Sequence, residues 1–112
     1  MKYIKVNLKP LSVNKAWKGK RIKTTDYSKF EKSCLLILPI YEIPKCDLEL
    51  FIHYGFSSKG SDIDNPNKMV IDILSKKYGF NDNLIYRLIV TKEIVAKGNE
   101  FIVLNRNGSI SI

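Results

Sequence analysis

Residues 47–79 read DLELFIHYGFSSKGSDIDNPNKMVIDILSKKYG and combine a strand pattern with a helix pattern. Residues 47–54 alternate apolar and polar side chains, as a half-buried strand does. After a polar loop, Asp64 or Asn65 can cap a helix with Pro66 at its first position, and Gly79 is a natural stop. The apolar positions of the two segments are Leu48, Leu50, Ile52 and Tyr54, then Met69, Val70, Ile73 and Leu74.

The N-terminal part predicts a strand, a long loop and a helix. Residues 2–8 alternate like a strand, with Ile4, Val6 and Leu8 on one side, whereas residues 9–24 have neither period. A helix is expected to open near 25–28, on the capping signals of Thr25-Asp26 or Ser28 with Glu31, and to end at Pro39. Its apolar positions are Phe30, Cys34, Leu35 and Leu38.

The C-terminal part predicts a β-hairpin. An apolar run from Leu84 to Ala96 is followed by the turn at residues 97–99 and a second run from Phe101 to Leu104. The order β-α-β-α-β-β indicates an α+β fold, in which a mixed sheet packs with two helices in a single small domain over residues 1–112.

The composition is strongly basic and indicates an anionic partner. The chain has 112 residues, with 19 Lys and Arg against 11 Asp and Glu, a net charge of +8. Such a surface modestly favours nucleic acid as the partner, because an acidic membrane attracts the same charge and many basic surfaces are simply solvated. We expect no membrane span and no signal peptide, hence a cytoplasmic protein, and reduced thiols at Cys34 and Cys46.

Four aspartates lie between positions 62 and 82, and Lys68 lies among them. If residues 61–64 are extended, the Asp62 and Asp64 carboxylates point to one side, and a hard cation such as Mg²⁺ would offset their charges. Lys68 and Asp72 continue the i+4 spacing from Asp64, and Asp82 follows the helix. Each residue also has an ordinary explanation, as an N-cap, an i,i+4 ion pair or a turn residue, so both interpretations stay open.

The same stretch resembles a known family signature. Asp62-Ile63-Asp64-Asn65-Pro66-Asn67-Lys68, then Asp72-Ile73-Leu74, Gly79-Phe80 and Asn81-Asp82, is similar to the D-x-D-N-x-x-K-x-x-x-D-x-L pattern, with later Gly and paired acids, of the RusA family of Holliday junction resolvases. Pro10-Leu11-Ser12-Val13-Asn14 is similar to the P-x-S-x-N opening of these enzymes. The chain departs from the pattern at Asn81, where the family has an acid.

The resemblance implies a homodimeric, Mg²⁺-dependent endonuclease that makes paired nicks across a four-way DNA junction. By matching position, it implies metal-binding carboxylates at Asp62, Asp64 and Asp82 and a catalytic lysine at Lys68. Asp72 matches a helix acid whose role is structural or catalytic. A non-catalytic DNA-binding protein of the same fold, and a nuclease with a broader preference for branched DNA, remain the alternatives.

Further residues are candidates for DNA contact or for packing. The cations of the loop at residues 15–23 are the best candidates for contacts to phosphate, against a simple solvated loop. Trp17 and Tyr27 flank this loop and would either stack on unpaired bases or anchor it to the core. His53, on the side of its strand opposite Leu50 and Ile52, favours a surface or packing role. The five loop cations are Lys15, Lys18, Lys20, Arg21 and Lys23.

Overall fold

A computed structural model describes residues 3–11, 24–40, 42–43, 46–64 and 66–105. Along the chain, the strands and helices follow the predicted order β-α-β-α-β-β. A short 3-10 turn at Asp82–Leu84 precedes the third strand. The elements are β1 (Tyr3–Val6), α1 (Thr25–Ile37), β2 (Leu48–Phe56), α2 (Asn67–Tyr78), β3 (Ile85–Ile94) and β4 (Phe101–Asn105). The predicted α+β class, with a mixed sheet and two helices, is confirmed.

Local chemistry explains where the helices begin and end. The Thr24 hydroxyl accepts a hydrogen bond from the Tyr27 amide at 3.2 Å, so Thr24 caps α1 in place of Thr25 or Ser28. The helix ends at Ile37, two residues before Pro39, as predicted. Gly79 ends α2 with a φ of 69°, a left-handed conformation that glycine adopts without a steric penalty.

The sheet has the order β1-β4-β2-β3, which contradicts the predicted hairpin. β3 pairs with β2 in parallel, whereas β4 pairs with the other side of β2 in the antiparallel direction. The segment between β3 and β4 therefore crosses the end of β2, where the Val95 amide donates to the Phe56 carbonyl at 2.7 Å. Sequence neighbours did not become sheet neighbours because β2, the most buried strand, occupies the position between them.

The core lies between one face of the sheet and the two helices. Alternate residues of β2 are buried there, as the sequence predicts, and Ile52 and Tyr54 are fully inaccessible to solvent. The helix positions that were predicted to be apolar contribute the other side, with Leu35 only partly buried. The buried residues of the two helices are Tyr27, Phe30, Cys34, Met69, Val70, Ile73 and Leu74.

The opposite face of the sheet is covered by no described helix and carries cross-strand polar pairs. Arg87 on β3 forms an ion pair with Glu49 on β2 at 3.2 Å, and His53 contacts the hydroxyl of Thr91 at 2.6 Å. His53 thus has the surface role that its position on the strand predicts. Cys34 and Cys46 are both free thiols, in agreement with the prediction. Within the described residues, no helix is long and apolar enough to cross a membrane.

Candidate functional site

The predicted site lies on the loop between β2 and α2 and on the first turns of α2. Hydrogen bonds between residues three apart in the chain shape this loop: the Ser61 amide donates to the Ser58 carbonyl at 3.2 Å and the Asn67 amide to the Asp64 carbonyl at 3.3 Å. From β3, the Lys92 ammonium group donates to the Ser61 carbonyl at 2.7 Å. The backbone just before Asp62 is therefore attached to the neighbouring strand.

Asp62 and Asp64 are exposed, and the chain turns at residues 63–64. The condition under which both carboxylates would point to one side, an extended conformation of residues 61–64, is therefore not met. Among the described residues, neither carboxylate has an ion-pair or hydrogen-bond partner. Two acids that are exposed and free of such partners are available to a cation or to solvent.

Asp64 does not cap α2 through its side chain. The helix begins at Asn67, its N-cap position is Pro66, and no side chain makes a capping hydrogen bond there. The Asp64 backbone carbonyl, by contrast, accepts the Asn67 amide in a turn. This finding removes the capping explanation for the Asp64 carboxylate, although it does not assign that carboxylate another role.

Lys68 connects two of the predicted acids. Its ammonium nitrogen lies 3.0 Å from Asp72 Oδ1, one turn along α2, and 3.6 Å from Asp82 Oδ2. The hydrogen bond to Asp72 and the charges of Asp72 and Asp82 raise the pKa of Lys68 above its ordinary value. The Lys68 side chain nevertheless remains 65% exposed, so a protonated ammonium group is presented to solvent between two carboxylates.

The turn after α2 returns Asp82 to this position. Gly79 reverses the chain, and the Ser75 hydroxyl donates to the Phe80 carbonyl. The Asn81 side chain then accepts a hydrogen bond from the Asn83 amide at 3.1 Å, which caps the 3-10 turn that begins at Asp82. Asn81, where the family pattern has an acid, thus has a local structural role. The turn thus brings Asp82 back to the first turns of α2, where its carboxylate lies 3.6 Å from the Lys68 ammonium nitrogen.

A cleft of about 330 Å³ lies beside Asp62. Residues from three separate segments line it, including Pro10 and Leu11, which begin the N-terminal part of the family resemblance. The chain therefore enters residues 12–23, the segment with the five candidate cations, directly from the wall of the cleft. The polar residues of its lining are Lys9, Ser57, Ser58, Ser61, Asp62 and Glu100.

Glu100 is a residue of this cleft that the sequence analysis missed. Its carboxylate accepts hydrogen bonds from the Ser57 hydroxyl at 2.8 Å and from the Gly98 amide at 2.9 Å. Hydrogen bonds from its own backbone amide and from Ser57 hold the pKa of Glu100 below its ordinary value. Its position next to the turn at Lys97-Gly98-Asn99 was the only signal in the sequence, and a turn residue gives no sign of proximity to Asp62.

The structure does not bring the three predicted metal ligands into one coordination sphere. Among the described residues, no group of three or more His, Cys, Asp or Glu side chains is arranged to hold a metal ion. Asp62 and Asp64 have the oxygen donors that Mg²⁺ prefers and are free to accept it, whereas Asp82 lies beside the Lys68 ammonium group. The donor chemistry therefore fits Mg²⁺ at Asp62 and Asp64, and Asp82 would join them only by a local rearrangement.

The remaining predictions divide between buried residues and residues outside the described ranges. Tyr27 is 1% exposed and packs in the core, which excludes stacking on DNA bases. Burial, assisted by the charges of Asp72 and Glu31, raises the pKa of Tyr27 to about 12. Trp17 and the five candidate cations, Lys15, Lys18, Lys20, Arg21 and Lys23, lie outside the described residues.

No family model and no curated protein matches the chain.

Proposed function

We propose that this protein is a Mg²⁺-dependent, structure-selective endonuclease that cuts four-way DNA junctions. The observation that carries the proposal is the position of Lys68. Its ammonium group lies between the carboxylates of Asp72 and Asp82. In the sequence, Lys68 directly follows Asn67, whose amide closes the turn with the Asp64 carbonyl. Lys68, Asp72 and Asp82 thus meet at the first turns of α2, which follow Asp64 directly in the chain. A net charge of +8 supplies attraction for the DNA backbone.

The proposed ligands of Mg²⁺ are Asp62 and Asp64, with Asp82 as the third carboxylate. When bound, the ion would polarise the scissile phosphate and lower the pKa of an attacking water. Lys68 is protonated and exposed, so it would donate to a phosphate oxygen and stabilise the negative charge that develops there. Asp72, at 3.0 Å from Lys68, would hold this ammonium group in place.

Partner and location follow from the same proposal. Paired incision of a junction with two-fold symmetry requires two active sites related by that symmetry, so the proposed enzyme acts as a homodimer. It would bind four-way and other branched DNA through phosphate contacts and work in the cytoplasm. The cations of residues 15–23 are the proposed phosphate contacts, because five basic residues and no acid fall within this short segment.

One observation favours a second candidate, a DNA-binding protein of this fold without catalytic activity. The Lys68–Asp72 and Lys68–Asp82 pairs are explained as surface ion pairs, and no three-carboxylate group is formed within the described residues. In that case the acids would orient the loop and the helix end, and only the basic residues would contact DNA.

Cleavage of a synthetic four-way junction, labelled on each strand in turn, separates these functions. The endonuclease is expected to nick two opposing strands in Mg²⁺ and to leave the junction intact in EDTA. Binding in both buffers without cleavage would contradict the proposal and support the non-catalytic protein. Equal cleavage of three-way junctions and replication forks would instead indicate a nuclease with a broader preference for branched DNA.

A further inference from the structure

The loop between β2 and α2 is shaped mainly by its own turns. The Ser61 amide donates to the Ser58 carbonyl, and the Gly60 amide donates to the Ser58 hydroxyl at 3.3 Å. Such local bonds shape a loop but do not fix its direction relative to the sheet. Among the hydrogen bonds of the described residues, only one reaches residues 58–63 from another strand or helix. It runs from the Lys92 ammonium group on β3 to the Ser61 carbonyl, at 2.7 Å.

The position of Lys92 on β3 directs its side chain toward this loop. Lys92 lies beside Tyr54 in the parallel pair of β2 and β3, and side chains of such partners leave a sheet on the same face. Tyr54 is buried in the core, so Lys92 also leaves the sheet on the side of the helices. Lys92 stands two residues before the end of β3, and the loop follows the parallel end of β2. Strand and loop therefore meet at the same end of the sheet.

The bond that Lys92 makes differs from those of the lysines on α2 that pair with acids. Lys68 and Lys76 contact carboxylates, whereas Lys92 has no carboxylate partner among the described residues. Its bond to the Ser61 carbonyl has a charged donor, and such bonds are stronger than bonds between neutral groups. That carbonyl belongs to the peptide group that joins Ser61 to Asp62. Because the bond fixes this peptide group, it also fixes the direction in which the Asp62 side chain leaves the backbone.

We propose that Lys92 is a positioning residue for the Asp62 carboxylate in the metal site. Groups that orient the ligands of a metal ion contribute roughly ten- to a hundredfold to metal affinity, although they do not touch the ion. Lys92 acts in this way through the Ser61 carbonyl, since the bond holds the loop to β3 and keeps Asp62 beside the cleft that it lines. The inference rests on the proposed function, because it takes Asp62 and Asp64 as the ligands of Mg²⁺.

The positive charge of Lys92 makes the direction of its effect informative. A cation near a metal site repels the metal ion, so removal of the ammonium group would strengthen metal binding if only its charge mattered. Loss of a positioning contact has the opposite effect, because the loop then holds Asp62 in the binding geometry for a smaller fraction of the time. The sign of the change in metal affinity therefore separates a positioning role from a purely electrostatic one.

The test is a titration of the full chain with Mn²⁺ in the absence of DNA, in which electron paramagnetic resonance measures the free ion. Mn²⁺ is a suitable probe because it takes the same oxygen ligands as Mg²⁺. Lys92→Met keeps most of the aliphatic side chain but loses the ammonium donor, and it should raise the dissociation constant of Mn²⁺ by at least about tenfold. Lys92→Arg keeps a charged donor and should recover most of the lost affinity.

Lys77→Met is the matched control, because the Lys77 ammonium group also donates to a backbone carbonyl, that of Leu35 at 3.0 Å, but between the two helices. It removes the same charge and should leave the affinity for Mn²⁺ near that of the wild type. Circular dichroism establishes that each variant is folded. If Lys92→Met binds Mn²⁺ as tightly as Lys77→Met or more tightly, the positioning role is overturned and the proposed metal site stands. If the wild type binds Mn²⁺ no better than Asp62→Asn does, the metal site and this inference are overturned together.

Discussion

Lys68 is held by charge rather than by packing. Its side chain is 65% exposed and its two carboxylate partners are themselves partly exposed, so water and salt screen both ion pairs. Pairs of this kind stabilise a fold by about 0–1 kcal/mol. Their loss should therefore change the stability of the fold little, so stability and activity can be measured separately at Lys68.

The first prediction separates these two roles at Lys68. Lys68→Ala should lower the rate of junction cleavage by at least about tenfold, the effect of losing roughly 1.4 kcal/mol of transition-state stabilisation, while the free energy of unfolding changes by less than about 1 kcal/mol. Lys76→Ala is the control, since Lys76 is also exposed, at 59%, and pairs with Glu31 at 3.2 Å. Equal cleavage by the two variants would show that Lys68 is only an ion-pair residue.

The second prediction concerns the two acids of the loop. Asp62→Asn and Asp64→Asn should each abolish cleavage in Mg²⁺ but leave junction binding equal or stronger, because each removes negative charge near the DNA and no cation. Gel-shift and cleavage assays on the same samples measure both effects. Near-normal nicking by either variant would remove that residue from the proposed metal site.

For single residues, the sequence predicted contacts between side chains on a helix better than it predicted the backbone conformation of loops. The spacing of Lys68 and Asp72 predicted their contact, because i,i+4 neighbours on a helix must be close. It did not predict the turn at residues 63–64, because short polar loops are determined by hydrogen bonds such as that of Ser61 with Ser58. Glu100 was missed for a similar reason, since its proximity to Asp62 depends on strand order.

At the scale of strands and helices, a partly buried hydrogen bond joins β2, the central strand, to α2, the helix that contains Lys68 and Asp72. The Tyr54 hydroxyl donates to Asn67 Oδ1 at 2.7 Å, between the core end of β2 and the first residue of α2. Tyr54 is fully inaccessible to solvent, and burial raises the pKa of its hydroxyl above the ordinary value. This bond closes the base of the loop that contains Asp62 and Asp64.

The third prediction follows from that bond. Tyr54→Phe should lower the free energy of unfolding by about 1–2 kcal/mol, because the Asn67 oxygen loses its donor in a poorly hydrated position. The same change at the exposed Tyr86 should alter it by less than about 0.5 kcal/mol. Chemical denaturation measures both. Equal stability of the two variants would mean that water replaces the lost donor at Asn67.

The order of elements was predictable, but their adjacency in the sheet was not. Periodicity of apolar residues is a local property, and it predicted β2, α1 and α2 to within a few residues. Strand pairing, by contrast, depends on contacts between residues that are distant in the sequence. Because β2 has alternate residues in the core and neighbours on both sides, it separates β3 from β4, although a short turn-like segment joins them.

For the molecule as a whole, charge is distributed unevenly along the chain. The segment at residues 15–23 holds five cations and no acid, and the stretch from 62 to 82 holds the acids of the proposed site. If the cations of residues 15–23 contact DNA as proposed, they would attract its phosphates to the protein that carries these acids. Such attraction acts through counterion release and carries no information about base sequence.

The last prediction measures this attraction. Replacing Lys18, Lys20 and Arg21 together with Ala should weaken binding to four-way junction and to duplex alike, and should reduce the magnitude of the slope of log affinity against log salt by roughly 2–3 units, since each phosphate contact contributes about 0.9. A salt titration of binding gives the slope.

Replacing the exposed Lys29, Lys32 and Lys97 removes the same charge, from +8 to +5, and should change the slope by less. If both triple variants change the slope equally, the attraction comes from net charge alone. If the loop variant keeps the wild-type slope with its fold intact, the DNA contacts lie on another surface.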